Sequence, residues 1–263
     1  MATCLRVKLM KKIYLWVLIS IVLSACASHE KVRKPTAAER ANEIAQIKTQ
    51  LAIQYMSTKN YRQAVDAIDE ALKHNSKSTD AWMIRAQIWQ FLKEPAKAEE
   101  SFRHALSLNQ NSPEINNNYG WFLCDIKRNP NAAIPYFDKA LSDPTYPTPE
   151  VAQLNKGVCS QRMGQYQLAH SYFERALAAN PNFVPVKKEM ARTALESGNP
   201  SDAHYYFTLY QSQINNLSAD DLLLGWRIER ALGNSQAAYE YEAQLRTNFP
   251  YSEELGKIST GKF

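Results

Sequence analysis

The side chains able to carry chemistry are few and scattered. The chain holds 4 cysteines (Cys4, Cys26, Cys124 and Cys159) and 5 histidines (His29, His74, His104, His170 and His204). No two histidines stand at the HExxH spacing that places a pair of ligands on one helix face, and no Cys/His cluster has zinc-ligand spacing. No glycine-rich phosphate loop or Gly-x-Ser-x-Gly nucleophile turn is present, and only 8 glycines occur in 263 residues. The acidic pairs Glu99-Glu100 and Asp220-Asp221 read as solvated helix faces or N-caps rather than as general acid–base dyads. The reading is therefore of a non-enzyme with no catalytic residue, metal or cofactor. What remains is cysteine chemistry: Cys26 behind an apolar leader, and the pair Cys124 and Cys159.

Lys+Arg outnumber Asp+Glu by 31 to 26, but residues 1–25 hold Arg6, Lys8, Lys11 and Lys12 and no acid. Without those four the balance falls to 27 against 26. No strong basic field remains to attract nucleic acid. Met10-Lys11-Lys12 precedes an uncharged run from Ile13 to Ser28, shorter than the roughly 20 residues of a spanning helix. A charged start, a short apolar stretch and a small-residue ending are the marks of an export signal. Met10 alone would suffice to start it, so either Met1 or Met10 serves as initiator. Leu23-Ser24-Ala25-Cys26 resembles the bacterial lipobox. That resemblance implies a diacylglycerol on the Cys26 thiol, cleavage before it, and acylation of the new amine, typically with palmitate. Several acyl chains hold a protein far more firmly than one. Ala27 stands where inner-membrane lipoproteins of this class carry Asp, which implies sorting to the outer membrane. Residues 26–40 read as a lipid-anchored polar tether in the periplasm, able to reach about 45 Å when extended.

The elements that position the remaining residues come from an internal period. Ala64, Ala98, Ala133, Ala169, Ala203 and Ala237 recur at intervals of 34 to 36, each followed four residues later by Ile68, Phe102, Phe137, Phe173, Phe207 or Tyr241. Three residues further on stand Ala71, Ala105, Ala140, Ala176, Tyr210 and Gln244. Upstream, Ala52, Ala86, Gly120, Gly157, Ala191 and Gly225 supply a matching small position. Small residues let paired helices approach, and the large residue fills the space between hairpins. The pattern resembles the tetratricopeptide repeat (TPR). It predicts an all-α, right-handed superhelical solenoid of six hairpins. The predicted divisions are a signal at 1–25, the tether at 26–40, and repeats across 41–251 (about 45–78, 79–112, 113–149, 150–183, 184–217 and 218–251), followed by a tail at 252–263. Six repeats leave no room within the chain for a catalytic domain. Asn60, Glu94, Gly164, Gly198 and Gly233 fall near turns, and Asp143–Pro149, with three prolines, predicts a stiff non-helical connector.

Cys124 and Cys159 fall in the first helices of repeats three and four, which lie side by side in such a stack. An oxidising periplasm favours a disulfide between them; two separately buried thiols are the other reading. In the repeat family, inward positions of the first helices line a protein-binding groove. Here they carry Ile53, Met56, Met83 and Phe91, with Gln46, Thr49, Gln87 and Gln90 around them and Asn117, Trp121 and Asp125 in repeat three. An apolar strip suits a nonpolar segment of a partner, although each apolar residue could instead pack on the adjacent helix. Thr49 and Ile53 stand where a carboxylate clamp needs Lys and Asn, which excludes that subclass. Lys188, Arg192, Glu196, Glu229 and Arg230 make the corresponding C-terminal surface more polar.

The segments Asn116–Cys124, Asp143–Pro149, Asn155–Cys159 and Leu222–Trp226, together with the lipobox and the cysteine pair, resemble the type IV pilus biogenesis/stability TPR lipoproteins, the pilotins of the pilus secretin. The resemblance implies an outer-membrane lipoprotein that binds secretin subunits, and further pilus assembly proteins, and promotes secretin multimer assembly or localisation. The alternative is another periplasmic TPR lipoprotein that scaffolds cell-wall enzymes or the outer-membrane protein insertion machinery.

Overall fold

The computed structural model describes residues 33–261. The signal, Cys26 and the start of the tether lie outside the described residues. The chain divides into two compact units, residues 1–43 and 44–263. Among the described residues of the first, Thr36 and Glu39 cap one another. The Thr36 amide donates to Glu39 Oε2 at 2.6 Å and the Glu39 amide to Thr36 Oγ1 at 3.2 Å, the reciprocal arrangement that starts a helix.

Among the described residues there are 13 helices and no strand: α1 (Ala37–Ser57), α2 (Tyr61–His74), α3 (Thr79–Phe91), α4 (Pro95–Leu108), α5 (Pro113–Asp125), α6 (Pro130–Leu141), α7 (Pro149–Arg162), α8 (Tyr166–Ala179), α9 (Pro185–Glu196), α10 (Pro200–Gln211), α11 (Ala219–Ala231), α12 (Ser235–Asn248) and α13 (Glu253–Thr260). They pair into six hairpins, from α1–α2 to α11–α12. Ser78 and Ser112 cap α3 and α5 by accepting from the amides three residues on, and Ser218 with Asp221 forms a capping box on α11. None of the described helices is long and apolar enough to cross a membrane.

The repeat alanines at 64, 98, 133, 169 and 203 are fully buried, as are Ile68, Phe102, Phe137 and Phe173. The glycines mark where rings come closest. A Cβ on Gly120 would lie 2.8 Å from Phe137, and one on Gly157 would collide with Phe173. The sixth hairpin departs from the sequence register. Its buried alanine is Ala238, whose amide bonds the N-cap Asn234 carbonyl as Ala64 bonds Asn60, and Leu245 rather than Gln244 is buried. Ala237 keeps the numerical spacing but lies one position off the packed face.

The turns inside all six hairpins pass through a left-handed residue. Gly164, Gly198 and Gly233 serve in the last three, and Lys59, Lys93 and Arg128 in the first three. Sequence reading places Asn60 and Glu94 near these turns, but the residue that bears the positive φ precedes each of them.

The connector expected over Asp143–Pro149 is non-helical from Asp143 to Thr148 and folds on itself, while Pro149 opens α7, where a proline's missing N–H costs nothing. The Thr145 amide and hydroxyl both bond Asp143 Oδ1, and Tyr146 is buried between Ala140 and Ala152. Residues beyond the sixth repeat, expected as a tail, form α13. Its Leu255 and Ile258 pack with Leu222, Leu223 and Leu245, covering an end face that would otherwise leave apolar surface in water.

Candidate protein-binding groove

The first helices of the hairpins line three cavities. The first, about 400 Å³, lies between α1 and α3 and is bordered by Thr49, Gln50, Ile53, Met83 and Ile84, with Asp80 and Glu114 at its rim. The second, about 430 Å³, lies between α3 and α5 against Gln87, Gln90, Phe91, Trp121 and Ile126. The third, about 800 Å³, runs from α5 and α7 to α9 and includes Trp121, Leu154, Val158, Val184, Lys188 and Arg192. Trp121 borders both the second and the third.

Of the six partner-facing residues expected from sequence, Ile53, Met83, Phe91 and Trp121 border these cavities. Phe91 is 58% exposed although its ring stacks on Tyr61 at 5.7 Å. Met56 instead packs against the buried cluster around Ile68 and Ile84. Asn117 is buried and accepts a hydrogen bond from Asn155 at 3.0 Å. Both serve the packing between hairpins rather than the lining. Sequence reasoning missed Leu154, Val158 and Val184, which border the third cavity. They fall in repeats whose charged residues masked the apolar floor.

Cys124 and Cys159 are joined by a disulfide, with Cα atoms 6.0 Å apart and both side chains fully buried. It links α5 to α7. Beside it, Arg162 reaches across to Asp125 at 2.6 Å and lies over the Trp121 ring, 5.4 Å from its centroid.

The charges along the third cavity are paired with one another. Lys188 bonds Asp220 at 2.7 Å and Asp221 at 2.5 Å, and Arg192 bonds Glu189 at 3.2 Å and Asp220 at 2.8 Å. Gln161 donates to Glu196 at 2.9 Å. Burial pushes the Asp220 carboxyl up, but Arg192 and Lys188 outweigh it and hold it below the usual carboxylate range. Asp221 behaves likewise, burial being outweighed by Lys188 and by Ser218. Burial lowers Lys188, and the two aspartates more than restore it. Glu229, expected to line the C-terminal groove, is buried and bonds His204 at 2.7 Å and Asn234 at 2.8 Å. Arg230 lies over Trp226. Among the described residues no group of three or more His, Cys, Asp and Glu is placed to hold a metal ion.

Residues 39–199 match the family model described as the tetratricopeptide repeat protein 21 N-terminal ARM repeat. The crystal structure of PilW, described as a widely conserved type IV pilus biogenesis factor, superposes with a TM-score of 0.76 at 58% identity, covering 82% of this chain and 99% of PilW. A solved structure of Pseudomonas aeruginosa PilF gives a TM-score of 0.68 at 30% identity over 84% of this chain and 99% of that one. The type IV pilus assembly protein PilF of Pseudomonas aeruginosa PAO1 is 29% identical over 245 residues, 93% of this chain and 96% of PilF.

Proposed function

Given that the chain belongs to the type IV pilus biogenesis TPR proteins, the family of PilW and PilF, we propose that it is an outer-membrane lipoprotein that binds the pilus secretin and promotes its multimer assembly or localisation. The observation that carries the reading is the groove along the first helices. It leaves Phe91 and Ile53 exposed at cavities in contact with solvent, where a surface with no partner would carry charge. The groove supplies binding and positioning and no covalent chemistry: secretin subunits held by their periplasmic parts are kept together while they close into a ring. Acylation at Cys26 supports this role by holding the groove at the membrane where the ring forms, and Ala27 supports outer-membrane sorting.

Deleting the gene and following secretin multimers on a denaturing gel tests the proposal. Loss of multimers, restored by the wild-type gene and not by Cys26→Ser, is the expected result. Unchanged multimers, correctly placed in the outer membrane of the deletion strain, would overturn it.

A further inference from the structure

The two ends of the stack are finished differently. At the C-terminal end α13 covers the last hairpin through Leu255 and Ile258. At the other end no helix precedes α1 among the described residues. What this leaves bare is legible from the repeats themselves. Five residues before the small position of the first helix stand Ile47, Ala81, Ile115, Ala152 and Val186. The last four are buried, Ala152 in a cluster with Ala140 and Val186 in one with Phe173 and Ala176 of the hairpin before. Ile47, with no hairpin before it, is 59% exposed.

Ile44 is exposed as well, and Leu51 is half-buried. Ile44, Ile47 and Leu51 are spaced by three and then four residues along α1, the a, d and a positions of a heptad. They form one stripe of the helix, while Thr49 and Ile53 line the first cavity of the groove from another side. Glu43 and Lys48 flank the stripe at the g and e positions. Neither is in an ion pair with another described residue.

We propose that this stripe is the docking surface for a second copy of the chain, α1 against α1, parallel about a two-fold axis. In a parallel pair the residue at g faces the residue five positions on, at e of the other helix. Glu43 of each copy then meets Lys48 of the other, once on each side by symmetry. Ile44, Ile47 and Leu51 each meet their own counterpart. Three apolar pairs make a marginal contact in solution, and two anchors on one bilayer raise the local concentration that closes it. Parallel is also the orientation the anchors favour. Both chains enter α1 at Ala37, so both tethers leave the same end of the pair. An antiparallel pair would start its second tether at the far end of a 21-residue helix, about 30 Å away.

Other occupants fit less well. Residues 26–36, just before α1, offer Val32 as their one large apolar side chain and cannot cover the stripe. A bilayer surface would cover the isoleucines but desolvate Glu43 with no counter-charge. The proposal takes from the functional reading only the acyl anchor at Cys26, and it leaves the groove of each copy open.

The test uses full-length protein in vesicles of phosphatidylethanolamine and phosphatidylglycerol, with its acylation read by mass spectrometry. Gln54→Cys places a thiol at the next d position, which is exposed. A parallel pair brings residue 54 beside its own counterpart. The bridged Cys124 and Cys159 leave the new thiol free to report. Mild oxidation should link copies of Gln54→Cys and not copies of Gln236→Cys, an exposed position on α12. Added to Gln54→Cys, Lys48→Glu should cut the linked fraction about fivefold by setting acid against acid. Ile47→Glu should reduce linking to the level of Gln236→Cys, and the exchanged pair Glu43→Lys, Lys48→Glu should restore it. All four side chains lie at the surface of α1, so circular dichroism should stay unchanged. Linking at position 54 no greater than at 236, or unmoved by the single charge reversal, would overturn the proposal. Ile47→Glu that instead weakens vesicle binding of unacylated protein would assign the stripe to the bilayer. Ile47→Glu that abolishes secretin capture while position 54 stays unlinked would assign it to the secretin. Unacylated protein in the mass spectrum would remove the anchor and this proposal with it. Failure to link in acylated protein would remove the proposal alone.

Discussion

Arg162 donates through Nη2 to the Asp125 carboxylate at 2.6 Å and through Nη1 to the Cys124 carbonyl oxygen at 3.1 Å. The guanidinium of α7 thus grips the end of α5 at the residue that the disulfide also holds. Two attachments of different chemistry fix the same helix pair, and the Arg162 guanidinium lies over the ring of Trp121, which borders the second and third cavities.

The bridge should form in the exported protein. Alkylation without reductant should leave Cys124 and Cys159 unmodified, and both should react once reductant is added. With the two cysteines 35 positions apart, opening the bridge should cost about 3–4 kcal/mol by the loop-entropy estimate. Because repeat stability is largely nearest-neighbour, hydrogen exchange should show the loss centred on α5–α8 and little change in α1–α2. Free thiols at both positions in protein purified under oxidising conditions would contradict this.

Gly157→Ala should destabilise although alanine is the better helix former. The added Cβ meets the Phe173 ring, and overpacking of about 1–3 kcal/mol outweighs a helix-propensity gain of about 1 kcal/mol. Gly256→Ala in α13 is the control: nothing lies within 4 Å of its added Cβ, so that variant should gain stability. Urea midpoints for the pair decide the point. A Gly157→Ala protein as stable as Gly256→Ala would show that the ring can yield.

Lys93→Gly should stabilise by about 0.5–1 kcal/mol. Lys93 holds φ at 58°, and relief of a left-handed side-chain conformation exceeds the entropy that glycine adds to the unfolded chain. Thermal melting with an unchanged or lower Tm would refute it.

Acid should loosen the α9–α11 contact. The Asp220 and Asp221 carboxyls titrate below their ordinary range when folded, so their contribution is fully present above the unfolded value near pH 3.9. It is lost as pH falls through the folded values. Lys188, raised by the same pairs, loses its part only at strongly alkaline pH. The double variant Asp220→Asn, Asp221→Asn should be less stable at neutral pH and lose less on acidification to pH 3 than wild type. Parallel acid curves for the two proteins would contradict the assignment.

The period was legible because packing at each hairpin dictates residue size: only alanine or glycine fits where helices touch, and a ring or branched chain must fill the gap behind. The sixth repeat escaped because Tyr241 fills its gap from one position earlier relative to Ala238, leaving Ala237 in false register. The turns at Lys59, Lys93 and Arg128 escaped because a side chain that tolerates strain carries no glycine signal. Sequence position alone places Met56 and Asn117 in the lining because it gives the direction of a side chain but not how far the next hairpin reaches over it. The charge pairing of Lys188 and Arg192 with Asp220 spans about thirty residues and two repeats, a distance at which spacing alone identifies no partner.

Exposed apolar residues at the groove are the centre of the account, and Ile53 and Phe91 can be altered there with the least harm to the core. The double variant Ile53→Glu, Phe91→Glu, expressed in place of the wild-type protein, should keep its helical circular dichroism, its acylation and its membrane fractionation. Secretin multimers on a denaturing gel should fall at least tenfold, with monomer in their place. Multimers at the wild-type level, in cells where the variant is folded and membrane-attached, would contradict the claim that this groove holds the secretin.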